Sequence, residues 1–183
     1  MVWARTKLLI YDYIFEPVKD IKIEYKGPYP ERFYKKLNEL IRTIFNVPDA
    51  YVQEGSYSWE KGKDSERFEV SWEVTKILDT YTYIAVELDL KGFSANSDGK
   101  VTVRIKPRLI TEYPQDTVFQ QSIFYEMLRR FYHKFFYHHK RMEYLVFGKE
   151  LLTSFEAAIK HFGETLREAS SAAEKAGESN AGA

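Results

Sequence analysis

The sequence predicts an α+β domain: a six-stranded, mainly antiparallel sheet with one helix inserted after the second strand and long C-terminal helices packed on one face. Three observations lead there. Between residues 68 and 106 apolar and polar side chains alternate in three successive runs, the period of strands with one buried and one wet face. Around residues 33–44, and again beyond 116, apolar residues return every third or fourth position, as amphipathic helices require. The links between the strand runs are short, which only antiparallel neighbours allow.

Taken in order, Lys7 to Phe15 and Asp20 to Tyr25 read as two strands separated at Glu16-Pro17, the second alternating through Ile21, Ile23 and Tyr25. Gly27-Pro28-Tyr29-Pro30 punctuates the chain, and a helix starts near Pro30, a residue suited to a first turn. Its stripe is Phe33, Leu37, Leu40, Ile41 and Ile44, and the stretch Asn46 to Asp49 ends it. Tyr51 to Trp59 is a less regular strand in which Gly55 marks a bulge. Three clear strands follow: Phe68, Val70, Trp72 and Val74; Ile84, Val86, Leu88 and Leu90; Val101, Val103 and Ile105. Turns fall at Lys61 to Asp64, Asp79-Thr80 and Ser94 to Gly99, and Pro107 suits an edge or a bulge. From Asp116 the stripe Phe124, Leu128, Phe131, Phe135, His138, Met142 and Leu145 predicts a long helix with this face on the core. Gly148 is expected to break it from a second helix carrying Leu151, Leu152, Phe155, Ala158, Ile159, Phe162 and Leu166. Residues 1–168 form one domain on this reading. The rest, 169–183, lacks large apolar groups to offset its ordering entropy and is expected to be disordered.

Composition narrows the class. Of 183 residues, 44% are hydrophobic and 30% charged, and 27 basic groups balance 27 acidic ones; this is a folded chain, neither a basic coat protein nor an acidic disordered tail. With no cysteine, disulfides and thiolate metal sites are excluded. Four Gln and four Asn among many Lys, Arg and Glu give a thermophile-like balance. The apolar run Leu8 to Ile10 lies between Lys7 and Asp12, too short for a signal segment or a membrane span, so a cytoplasmic location is the expectation.

Catalytic chemistry finds little footing. There is no GxSxG, no glycine-rich phosphate loop and no HExxH. His133, His138, His139 and His161 are the only imidazoles and supply no metal-ligand cluster, so no catalytic residue, cofactor or metal is assigned. Glu69, Glu73, Glu87 and Asp89 share a sheet face with Arg104, Lys106 and Arg108, which reads as cross-strand ion pairing.

The distinctive segment is Arg129 to Tyr144, RRFYHKFFYHHKRMEY. Residues 98–142 hold nine basic and four acidic groups, whereas both flanking parts of the chain are net acidic. With Phe124, Leu128, Phe131 and Phe135 on the core, the opposite surface shows Arg130, Lys134, Tyr137, Arg141 and Tyr144, flanked by Arg129 and Lys140. Cations attract phosphates and rings stack on bases. The sequence therefore reads as a non-enzymatic binding module docking RNA or a ribonucleoprotein through this face. A protein partner or an anionic bilayer surface fits the same composition.

The order strand, helix, antiparallel meander, long helix across Ile21 to Leu166 also resembles the helix-grip fold of the START-related (SRPBCC) superfamily. That resemblance implies an alternative: an apolar small molecule held between sheet and C-terminal helix, in a cavity lined by Trp72, Val86, Val103, Phe124, Leu128 and Phe131.

Overall fold

The computed structural model describes residues 9–95, 98–113, 117 and 119–181, with backbone alone for Gln121 and for 173–181. Lys7 and Leu8 of the first expected strand, the middle of the Ser94 to Gly99 turn, Asp116 and the last two residues of the expected tail lie outside the described residues.

The strands are β1 (Leu9–Tyr13), β2 (Ile21–Pro28), β3 (Val52–Lys61), β4 (Ser65–Ile77), β5 (Thr82–Ala95) and β6 (Asp98–Glu112). All pair antiparallel in one sheet, with β3, β4, β5 and β6 a meander in chain order. β1 and β2 lie end to end along the same edge of β6: β1 faces Arg108 to Glu112 and β2 faces Asp98 to Ile105. Pro107, which has no N–H to give, falls in the interval between them and pairs with Val86 on the other side. The register of β3 slips between Glu54 and Tyr57, the bulge expected at Gly55.

The alternation sorts as expected. Phe68, Val70, Trp72 and Val74, with the even-numbered apolar residues of β5 and Val101, Val103 and Ile105 of β6, fill one sheet face. Salt bridges cross the other, among them Lys106 to Asp89 at 3.0 Å and Lys106 to Glu87 at 3.7 Å. α1 (Arg32–Phe45) buries Phe33, Leu37, Leu40, Ile41 and Phe45 against the apolar face and ends on Asn46 in a left-handed conformation.

The C-terminal part differs from the expected pair of helices. α2 (Ile123–Tyr132), capped by the Ser122 hydroxyl, passes through one π-helical turn, His133–Tyr137, into α3 (His138–Ala181). The whole run would measure about 90 Å at the usual helical rise. Gly148 lies inside it, not at a break. A Cβ there would come within 3.0 Å of Ile14 Cδ1 and 3.3 Å of Ile84 Cδ1, so the glycine lets the helix close on the sheet. The helix backbone also continues past Ser170.

Candidate docking face of the long helix

One line of side chains, every third or fourth residue, faces the protein along the helix. In its C-terminal half that line is apolar: Leu152, Phe155, Ile159 and Leu166 are buried, with Phe155 against Phe45 of α1 and Phe162 against Phe33. In the N-terminal half the same line is Arg129, His133, Tyr137, Arg141 and Tyr144. Arg129, Tyr137 and Arg141 are buried at 3–4% exposure. In a regular α-helix each four-residue step turns the side chain by about 40°. The wider turn at His133–Tyr137 takes up that drift and keeps four polar residues spaced by four on one line.

The end of the sheet explains why polar groups turn inward. Arg141 meets the Asp12 carboxylate through Nε at 2.9 Å and Nη2 at 2.8 Å. It also donates to the Thr111 hydroxyl and to the carbonyls of Ile10 and Leu109. Thr111 shares a hydrogen bond with Thr82, and Thr82 with the Tyr137 hydroxyl. Tyr137 (2.7 Å) and Tyr144 (3.0 Å) both donate to Asp79 Oδ2, Lys140 approaches the same oxygen at 3.2 Å, and the amides of Tyr81 and Thr82 donate to Oδ1. Burial alone would raise the Asp79 pKa. The bonds from Tyr137, the Tyr81 amide, Tyr144 and the Thr82 amide outweigh it and hold the carboxyl at about 2. Burial, then the nearby Arg141 charge, lowers the His133 pKa, and its Nδ1 shares a 3.0 Å hydrogen bond with Tyr113. Arg129 lies over the Tyr113 ring and donates through Nη2 to Glu126 at 2.6 Å, while its Nε and Nη1 have no hydrogen-bond partner among the described residues.

The opposite side of this half-helix is apolar and faces outward. Phe124, Met127, Leu128, Phe131, Phe135 and Phe136 are 48–67% exposed and Ile123 is 82% exposed; Phe119, Met142 and Val146 extend the patch. The Phe131 and Phe135 ring centroids are 4.5 Å apart. An aromatic side chain offers roughly 150–250 Å², so about ten half-exposed groups give a patch on the order of 1,000 Å². Monomeric proteins rarely leave that much apolar surface contiguous and unused.

This reverses the orientation expected from sequence. Phe124, Leu128, Phe131 and Phe135 do not face the core, because the sheet end offers Asp12, Asp79, Thr82 and Thr111, which the polar stripe satisfies and Phe rings would leave unpaired. Of the seven residues expected on the basic surface, Arg129, Tyr137 and Arg141 lie inside and Tyr144 is half-buried on Asp79. Arg130, Lys134 and Lys140 are exposed, the last reaching Asp79. The six residues expected around a ligand cavity do not share one space: Trp72, Val86 and Val103 belong to the packed core, and Phe124, Leu128 and Phe131 stand outside it. A smaller hollow of about 130 Å³ lies between sheet and helix at Ile23, Tyr25, Phe33, Ile159, Gly163 and Arg167, below the roughly 300 Å³ at which small-molecule sites begin. Among the described residues no helix is long and apolar enough to cross a membrane, and no group of three or more potential metal ligands occurs.

No protein-family model and no curated protein gives a significant match to the chain. Among solved structures, the crystal structure of Ara h 8.0201 shares 12% identity over 80% of this chain and 97% of that one, with a TM-score of 0.25. SA2116 from Staphylococcus aureus, a protein of unknown function, shares 13% identity over 87% and 96%, with a TM-score of 0.20.

Proposed function

We propose that the chain is a non-enzymatic binding module that docks onto a larger partner through the outward face of the helix between Ile123 and Val146. The support is the inverted amphipathicity of this segment: its polar side is consumed by the protein's own network and its Phe, Met, Leu and Ile side chains are left in water. Burying such groups on a partner is favourable by about 25 cal/mol per Å² before the costs of association. The partner's surface is therefore apolar first. The RNA version rests on Arg130, Lys134 and Lys140 alone, and the small hollow near Gly163 gives the apolar-ligand version less room than it needs.

The test is the size of the body carrying the protein in an unclarified extract of the cells that make it. The wild-type chain should sediment with something larger than its own 21.6 kDa, and Phe131→Asp with Phe135→Asp should return it to its own mass. Both forms sedimenting as the free chain would overturn the proposal.

A further inference from the structure

Resting on that docking reading, the structure assigns the partner as well: we infer that the outward helix face lies on an anionic lipid bilayer. The first argument is shape. The patch is a convex ridge along one helix, with rings at Phe124, Phe131, Phe135 and Phe136, and such a face sinks its side chains about 5–10 Å into the boundary between headgroups and acyl chains. The second is charge. Between Ile123 and Val146 the helix carries two carboxylates: Glu126, which is bonded to the buried Arg129, and Glu143, which is exposed and lies 3.4 Å from His139. The exposed basic groups beside the apolar stripe, five against that one exposed carboxylate, are Arg130, Lys134, His138, His139 and Lys140, and Lys134 sits over the Phe135 ring. Long cationic side chains flanking an apolar stripe reach anionic headgroups while their stems stay with the acyl region.

A second copy of the chain is the natural rival, because about 1,000 Å² per protomer satisfies a standard interface. Two such faces brought together would set Arg130 and Lys134 of one protomer among the same cations of the other, with one exposed carboxylate per segment, Glu143, already beside His139, to meet them. The charge pattern favours the bilayer.

The experiment uses the full chain and sedimentable vesicles, one set of phosphatidylcholine alone and one with a third phosphatidylserine. Binding should be at least tenfold tighter to the anionic vesicles, since each cation near such a surface contributes, and it should weaken as salt rises. Phe131→Ser with Phe135→Ser should abolish binding to both sets. Arg130→Glu with Lys134→Glu should remove the preference for anionic vesicles. Phe93→Ser, at an exposed ring on the opposite sheet face, should change nothing and serves with thermal melts as the folding control. Absence of vesicle binding overturns the inference, as does a monomer–dimer equilibrium that Phe131→Ser with Phe135→Ser abolishes, or selective retention of single-stranded RNA over vesicles. If vesicles fail while the Phe131→Asp, Phe135→Asp pair still changes the particle in the cell extract, docking stands and the bilayer alone is wrong.

Discussion

The two halves of the long helix solve opposite problems with one inward line of residues. Past Gly148 the line is Leu152, Phe155, Ile159 and Leu166, and it meets an apolar sheet face and α1. Before Gly148 it is Arg129, His133, Tyr137 and Arg141, and it meets the polar end of the sheet at Asp12, Asp79, Thr82 and Thr111. Helical periodicity is the same in both. What lies across from the helix decides which of its two faces turns in, and the price of the polar solution is an apolar face left in water.

The largest expected effect contrasts Phe rings in the two halves. Phe155→Ala removes a fully buried ring packed at 5.1 Å from Phe45 and should cost about 3–5 kcal/mol. Phe131→Ala removes a ring that is half in solvent and should stay within about 0.5 kcal/mol of the wild type. Chemical denaturation of both variants checks this. Equal losses would mean that the outward face is packed, and the comparison would fail at its root.

The contrast also shows where sequence reading runs out. Phe68–Val70–Trp72–Val74 and its two neighbouring runs identify strands and their buried face from alternation alone, because a period of two leaves one apolar side. The stripe of α1 is equally plain. The long helix carries two competing stripes, and its hydrophobic one was the natural choice for the core. The deciding partners lie far off in sequence: Asp12 is 129 residues from Arg141 and Asp79 is 58 from Tyr137. One local signal did exist. Arg129, His133, Tyr137 and Arg141 fall on one line with Gly148 and Gly163, and a Cβ at Gly163 would come within 3.0 Å of Tyr25. Small residues in register with a polar stripe mark the side that approaches the sheet.

The next effect in size tests whether polar contact is required in the first half. Asp12→Ala leaves the Arg141 guanidinium buried without its carboxylate. Breaking a buried pair from one side costs about 3–5 kcal/mol, and the 42% exposure of the Asp12 side chain lowers the expectation to about 2 kcal/mol, since water screens the pair. Arg141→Met added to Asp12→Ala should recover most of that loss, because an apolar group of similar length needs no counter-charge. Urea midpoints of the single and double variants provide the measurement. A double variant no more stable than the single one would show that Thr111 and the carbonyls of Ile10 and Leu109 hold the helix without Asp12.

The smallest effect is a pH dependence centred on Asp79, the anchor shared by Tyr137, Tyr144 and Lys140. Folding lowers its pKa from 3.8 to about 2, so its stabilisation is complete above the unfolded value and drains away as pH falls from about 4 to 2, by on the order of 1–2 kcal/mol. Tyr137 and Tyr144 have pKa values raised by burial and stay protonated donors throughout that window. Glu24, held at about 2 by Lys22 and Lys100 on the exposed edge, titrates in the same range and is common to every variant, so only a difference between proteins isolates Asp79. Asp79→Asn keeps an acceptor for the two backbone amides but turns an N–H₂ toward the tyrosines and Lys140. It should be less stable than wild type at neutral pH, and the gap between their melting curves should narrow as pH drops from 4 to 2. A gap that stays constant across that interval would mean that the Asp79 charge contributes nothing, and that the polar half of the helix is held by the Arg141 cluster alone.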